Sequence, residues 1–337
     1  MKHRPTIWDV ARYAGVSKTT VSRVLNGDIE HVRETTRQKV LAAIEALGYE
    51  RNELARGLRT RSTQIIMLAI PDITNPFWPE VARGVQDRME EEGYSVVFAN
   101  SDWQGHRERE FLRMARRQHF DGILINPIQV SQDDLLSTGI PTVILGLREA
   151  YTNFDMVGSD TVGATISALE YLASLGHEHI GLLLGKHANR ISTSRLDGYK
   201  QFLRSQGLPF DPALVIEVPF SQAGGREGVR RLLDLSPRPT AVLAANDIIA
   251  IGVLQALHEA NIRVPEEISV MGMDDIPAAA MTIPPLTTIA KQKYRLGYRA
   301  ASLLLERIGA GSGLISRREV IPCNIIIRKS TGPVRYR

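Results

Sequence analysis

Residues 6–27, TIWDVARYAGVSKTTVSRVLNG, set two short helices against each other. Thr6 and Asp9 stand three apart, the spacing at which each side chain caps the other's backbone amide and starts a helix. Ile7, Val10, Ala11 and Ala14 then fall on one helical face. Gly15 and Val16 break that helix, and Ser17 can cap a second in which Val21, Val24 and Leu25 face inward until Asn26 and Gly27 end it. With those positions buried, Lys18, Thr19, Ser22 and Arg23 stand on the opposite face near the helix start, where a helix-turn-helix reads bases. A third helix, about Glu34 to Leu47, offers Val40, Ala43, Ile44 and Leu47 to the same core and stops at Gly48.

The charge is divided in the same place. Of 337 residues carrying a formal net charge of +4, the first 62 hold 12 Lys/Arg against 7 Asp/Glu, and the remainder hold 29 against 30. A basic module on a neutral body is the arrangement expected of a polyanion-binding head, although a solvated basic face gives the same count. The 43% hydrophobic content suffices for a large core, and this length predicts two or three domains. No apolar run of about 18 residues occurs, and MKHRPTIWDVARYAG is amphipathic instead of a charged leader, so a cytoplasmic, nucleoid-associated protein is expected. The single cysteine, Cys323, has no partner for an internal disulfide and no metal-ligand spacing around it.

The order D-V-A, A-G-V-S, T-V-S-R-V-L-N, followed by VRETTRQKVLAAIEALGY at 32–49, resembles the headpiece of the Lac repressor family of bacterial transcription regulators. The resemblance implies a DNA-binding headpiece over 1–50. There Lys18 and Thr19 read bases in the major groove, and Arg23 adds a contact of the kind arginine makes to guanine. Thr6, Ser17, Ser22 and Asn26 suit phosphate contacts, which position the module without carrying sequence information. Residues 51–63 would be a hinge, with Asn52, Ala55 and Leu58 at the DNA and Leu58 wedged into a central base step from the minor groove. Three positions depart from the pattern. Arg51 stands where proline is common, Gly57 weakens a helix by about 1 kcal/mol relative to alanine, and Arg33 replaces a serine cap, so the third helix is expected to begin later.

From Ile65 short apolar runs alternate with amphipathic stretches, the rhythm of parallel α/β units. The expected body is a two-lobed α/β domain with parallel sheets, like a periplasmic binding protein, over 64–330. Lobe 1 is about 64–160 and 292–322, lobe 2 about 161–291 and 323–330, and 331–337 is a tail. Ligands in such sheets sit beyond the carboxyl ends of the strands. Asp72, Asn75, Asn126, Asn246, Asp247 and Asp274 occupy those ends, Asp247 as a cap for a helix beginning at Ile248. The resemblance continues through IPDITNPFW, STSRLDGY, AANDIIAIG, VMGMDDIP and PPLTTI. It implies that Arg195, Asn246 and Asp274 grip the effector, bracketing adjacent sugar hydroxyls, while Phe77 or Trp78, and Phe220, form an apolar wall. Gly146 stands where a family member has an acidic residue, so that contact is missing.

No G-x-G-x-x-G follows the first strand, and no P-loop or G-x-S-x-G elbow is present, so no enzyme and no cofactor is expected. The lone His177-Glu178-His179 reads as surface structure, not a metal site. A sugar-binding receptor module without DNA function is the competing reading, opposed by the first sixty residues. One headpiece contacts few bases, so a homodimer on a palindromic operator is expected, and no leucine heptads suggest a tetramer. A sugar or sugar derivative in the cleft would alter the lobe arrangement and thereby the spacing of the hinges; release and corepression both remain open.

Overall fold

The computed structural model describes residues 5–28, 30–50, 62–187, 190–191, 193–310 and 315–335. The chain divides into two compact units, Met1–Thr63 and Gln64–Arg337.

Among the described residues the first unit holds three helices: α1 (Ile7–Ala14), α2 (Lys18–Leu25) and α3 (Glu34–Leu47). The Thr6–Asp9 capping box forms at the start of α1, and Ser17 Oγ accepts the Thr20 amide at 3.1 Å to start α2. Arg33 gives α3 no side-chain cap. The helix nevertheless begins at Glu34, so the delayed start expected from Arg33 does not occur: backbone conformation and burial of Val40 and Ala43 suffice. Val10, Ala11, Val21, Val24, Val40 and Ala43 form the core, each fully buried valine contributing on the order of 1.5 kcal/mol.

In the second unit lobe 1 is built from β1 (Ile65–Ile70), α4 (Phe77–Glu90), β2 (Ser95–Asn100), α5 (Gly105–Arg117), β3 (Gly122–Ile125), α6 (Gln132–Leu136), β4 (Thr142–Leu145) and β5 (Asp155–Ser159). The chain then crosses to lobe 2: α7 (Thr161–Ser174), β6 (Ile180–His187), β7 (Arg190–Ile191), α8 (Thr193–Ser205), β8 (Val215–Pro219), α9 (Gln222–Leu233), β9 (Ala241–Ala244), α10 (Asp247–Glu259), β10 (Ser269–Met271) and β11 (Thr288–Ala290). It returns for α11 (Lys293–Ala310) and β12 (Arg318–Ile321), and crosses again to β13 (Asn324–Ile326).

The lobe 1 sheet runs β2-β1-β3-β4-β5-β12, parallel throughout. Ile66, Leu68, Leu124, Val143 and Val157 pack against α4 and α11. Met67, Ala69, Ile123, Ile125 and Ile144 pack with Leu112 and Leu135 on the other face. Both faces are covered, which is why these strands read as continuous apolar runs. Lobe 2 has parallel β8-β6-β9-β10 with β7 turned antiparallel on the end of β6; α7 and α8 cover one face, α9 and α10 the other. Three crossovers, at 159–161, 290–293 and 321–324, join the lobes.

In the C-terminal stretch the Val334 amide donates to the Leu175 carbonyl at 2.9 Å. One expectation fails here: His177 is not surface structure. Its ring is 3% exposed, with Nδ1 2.9 Å from Thr240 Oγ1 and Nε2 3.0 Å from both Ser269 Oγ and the Gly332 carbonyl. The residue pins that C-terminal segment to the lobe 2 sheet.

Candidate functional site

On the first unit, α2 turns Val21 and Val24 into the core and leaves Lys18, Thr19 and Arg23 exposed. Positions 18 and 22, and 19 and 23, are four apart, so with half-buried Ser22 they form one stripe. Thr6 and Ser17 are exposed but engaged as caps, and Asn26 Nδ2 donates to Ser22 Oγ at 3.3 Å. The sequence reading missed Trp8 and Tyr13, 61% and 63% exposed. Lys18 Nζ lies 5.1 Å from the Trp8 ring centroid, a cation–π contact that holds the lysine beside the stripe. Asn52, Ala55 and Leu58 lie outside the described residues.

On the second unit side chains from both lobes meet near the crossover at 290–293. Asp274 and Asp275 follow β10 with φ of +114° and +53°, conformations that cost non-glycine residues on the order of 1–3 kcal/mol each and persist only under strong local constraint. The constraint is visible. Lys293 Nζ donates to both carbonyls at 2.8 Å, the Asp274 amide donates to the Ile289 carbonyl at 2.8 Å, and Arg328 Nη2 holds the Asp275 carboxylate at 2.7 Å.

So fixed, the Asp274 carboxylate meets Lys291 Nζ at 3.2 Å; both residues are buried. Arg195, from the first turn of α8, acts on the same carboxylate. Burial lowers the pKa of Arg195, with Asp274 opposing it. Lys291 is lowered too, first by burial and further by Arg195, again against Asp274. Lys291 Nζ also lies 5.8 Å from the Phe77 ring centroid, so the lysine reaches from the crossover to lobe 1. Phe220 stacks on Trp103 across the lobes, centroids 5.5 Å apart and planes 10° from parallel. Gly185 makes room for that arrangement, because a Cβ there would overlap the Phe220 ring.

The structure thus places Asp274 and Phe77 beside Lys291, with Arg195 acting electrostatically on both charged groups, and Phe220 on Trp103. Trp78 is instead part of the lobe 1 core, which leaves Phe77 as the aromatic neighbour of Lys291. The other predicted residues sit at the strand ends but are engaged locally. Asp72 Oδ1 accepts from the Thr74 amide at 2.9 Å, Asn75 Oδ1 from the Phe77 amide at 3.0 Å, and Asn126 Nδ2 donates to the Leu145 carbonyl at 2.6 Å. Asn246, not Asp247, is the cap of α10, accepting the Ile249 amide at 3.0 Å. Asp247 turns inward, accepting from the Thr288 hydroxyl and the Ile276 amide. Its pKa is pushed up to about 8 by burial first and then by Asp274. Lys291 and Trp103 were not anticipated; the paired lysines just after the apolar run in TTIAKQK were the available signal.

Residues 6–52 match the family described as bacterial regulatory proteins, lacI family, and residues 169–331 match a periplasmic binding protein-like domain. The HTH-type transcriptional repressor PurR of Haemophilus influenzae is 35% identical across 96% of this chain and 98% of its own. The chain belongs to the lacI family of bacterial regulatory proteins. Among solved members of the family, the Lac repressor dimer bound to operator and the anti-inducer ONPF matches with a TM-score of 0.86 at 28% identity, covering 98% of this chain and all of that one. A CelR–cellobiose complex matches with a TM-score of 0.72 at 30% identity over 97% of this chain and 100% of its own. This family member is therefore a DNA-binding transcription regulator with a small-molecule effector, not an enzyme. Among the described residues no helix is long and apolar enough to cross a membrane.

Proposed function

We propose that this regulator binds a palindromic operator as a homodimer and is controlled by a sugar or sugar derivative held between the lobes. Lys18, Thr19 and Arg23 read base edges. Thr6, Ser17, Ser22 and Asn26 set the register on phosphates, and Asn52, Ala55 and Leu58 of the hinge engage the centre of the site. Arg195 and Asp274, with Asn246, Asn126, Asp72 and Asn75 around them, supply the polar contacts to the effector, and Phe77 and Phe220 supply the apolar wall. The lobes divide near 160, 291 and 322, and rotation about these crossovers couples the cleft to the DNA.

The observation that carries this reading is the buried Asp274 carboxylate that follows β10, 3.2 Å from Lys291 Nζ, which in turn lies 5.8 Å from the Phe77 ring centroid of lobe 1. A guanidinium, a carboxylate and an aromatic ring are the set that recognises a polyhydroxylated ring. That solved relatives are recorded with cellobiose and ribose supports the effector class.

Selection against randomised duplexes tests the DNA half. A Lys18→Ala, Thr19→Ala double variant is expected to prefer a different site, and an unchanged preferred site would defeat the assignment. Calorimetry against a sugar panel tests the other half: Arg195→Ala is expected to abolish binding, and unaltered binding would refute the pocket.

A further inference from the structure

We infer that Trp8 determines base specificity without touching a base: its indole holds the Lys18 ammonium in the direction from which it reads guanine in the major groove. This inference rests on Lys18 being a base reader and names the positioning residue that aims it.

The first support is where the indole stands. Helix α1 turns Ile7, Val10, Ala11 and Ala14 to the core of the first unit. Trp8 stands outside that core and is 61% exposed, so core packing does not explain so large a ring at this position. The ring's contact is with Lys18, whose Nζ lies 5.1 Å from its centroid. At that distance an ammonium is drawn to an aromatic face, and indole offers the strongest such face. Among the described residues no carboxylate pairs with Lys18. The carboxylate next to Trp8 in α1, that of Asp9, accepts from the Thr6 amide and hydroxyl at 2.9 and 2.7 Å.

The second support is where the lysine stands. Ser17 caps α2, which makes Lys18 the first residue of that helix, and its first turn holds no acidic residue. A cation is disfavoured at this positive end of the helix dipole, so helix stability does not select lysine here. An acceptor on DNA does, and base edges compete with phosphates for it. Lysine is a point charge on a flexible four-carbon stem and can swing to whichever acceptor is closest. A ring beside the ammonium removes many of those directions before DNA arrives, so less freedom is lost on reaching guanine O6 and N7. Both sides of the contact are anchored. Trp8 lies within the Thr6–Asp9 capping box, and the Thr20 amide donates to Ser17 Oγ at 3.1 Å at the start of α2.

The test uses the full chain and the duplex it selects from randomised DNA. Lys18→Ala first identifies the base pair whose preference Lys18 sets. Affinity for each possible base pair at that position is then measured for wild type, Trp8→Leu and Trp8→Tyr over a range of salt, with circular dichroism confirming that each folds. Trp8→Leu is expected to lower the preference for guanine there about two- to fivefold. Preferences elsewhere and the salt dependence should stay as they are, because the phosphate contacts are kept. Trp8→Tyr, which keeps an aromatic face, should retain the preference. In a Lys18→Ala background Trp8→Leu should change nothing further at that base pair. A preference kept by Trp8→Leu, a loss that Trp8→Tyr shares in full, or a loss that persists without Lys18 overturns the proposal and leaves Lys18 a base reader. If Lys18→Ala moves no base preference, the base-reading assignment falls and this inference with it.

Discussion

Replacing Asp274 with asparagine keeps the side-chain shape and removes its charge, leaving Lys291 beside a neutral amide. At the observed 3.2 Å, two unit charges attract by about 5 kcal/mol at an effective dielectric constant of about 20. Much of that offsets desolvation, and removing one member of a buried pair costs about 3–5 kcal/mol. The proton sets an upper limit. Lys291 can escape the unpaired charge by becoming neutral, which costs about 1.36 kcal/mol for each of the roughly 3.4 pH units between pH 7 and the ordinary lysine value. The loss cannot then exceed about 4.6 kcal/mol for this lysine, and about 3 kcal/mol is expected.

The pH dependence has a definite sign. Burial and Arg195 already lower the Lys291 pKa, and Asp274 resists them, so without Asp274 the folded value falls further below the unfolded one. Between the two values the unfolded chain holds the extra proton, and stability rises with pH. The deficit of Asp274→Asn relative to wild type should therefore shrink from pH 7 to pH 9. Urea unfolding followed by tryptophan fluorescence measures it, because Trp78 and Trp103 both lie in the effector unit. Lys291→Met in the same background should recover part of the loss, with a coupling of about 1 kcal/mol or more. A deficit below about 0.5 kcal/mol, one that grows with pH, or strict additivity of the two substitutions would refute the charge argument.

Gly185→Ala should push the Phe220 ring off its seat, break its stack on Trp103, shift tryptophan emission and weaken effector binding about tenfold or more; unchanged emission with unchanged binding would contradict the assignment. His177 gives a second pH effect. Burial lowers its pKa, with the Gly332 carbonyl opposing, so the unfolded chain takes up a proton first and stability should fall as pH drops through about 6.5. His177→Gln should flatten the dependence of Tm on pH between about 7 and 5.5, and an equally steep slope in that variant would exclude His177 as the source.

The helices of the first unit could be read directly because their determinants are local. Thr6 caps Asp9 and Ser17 caps Thr20 three residues away, and the apolar spacing that buries Val10, Val21 and Val40 is a property of one helix at a time. Arg33 misled only about where α3 begins, because a missing cap weakens a helix by less than its packed face stabilises it. In the body, the alternation of runs announced parallel sheets, and strand-end position together with family motifs pointed to Arg195, Asp274, Phe77 and Phe220.

Whatever depends on long-range contacts was invisible. His177 looked like a surface histidine until Thr240, Ser269 and Gly332 surrounded it. Asp247 looked like a cap until folding placed Thr288 against it. Lys291 and Trp103 acquire their meaning from Asp274, Phe77 and Phe220, on other segments or the opposite lobe. The linear chain by itself determined the three helices of the first unit, the α/β alternation of the body and that one end is a DNA reader, because hydrogen bonding and hydrophobic period act between near neighbours. Only the tertiary structure decided that Lys291 is buried against Asp274, because the cost of a buried cation depends on every group that replaces its water, and those groups come from segments far apart in sequence.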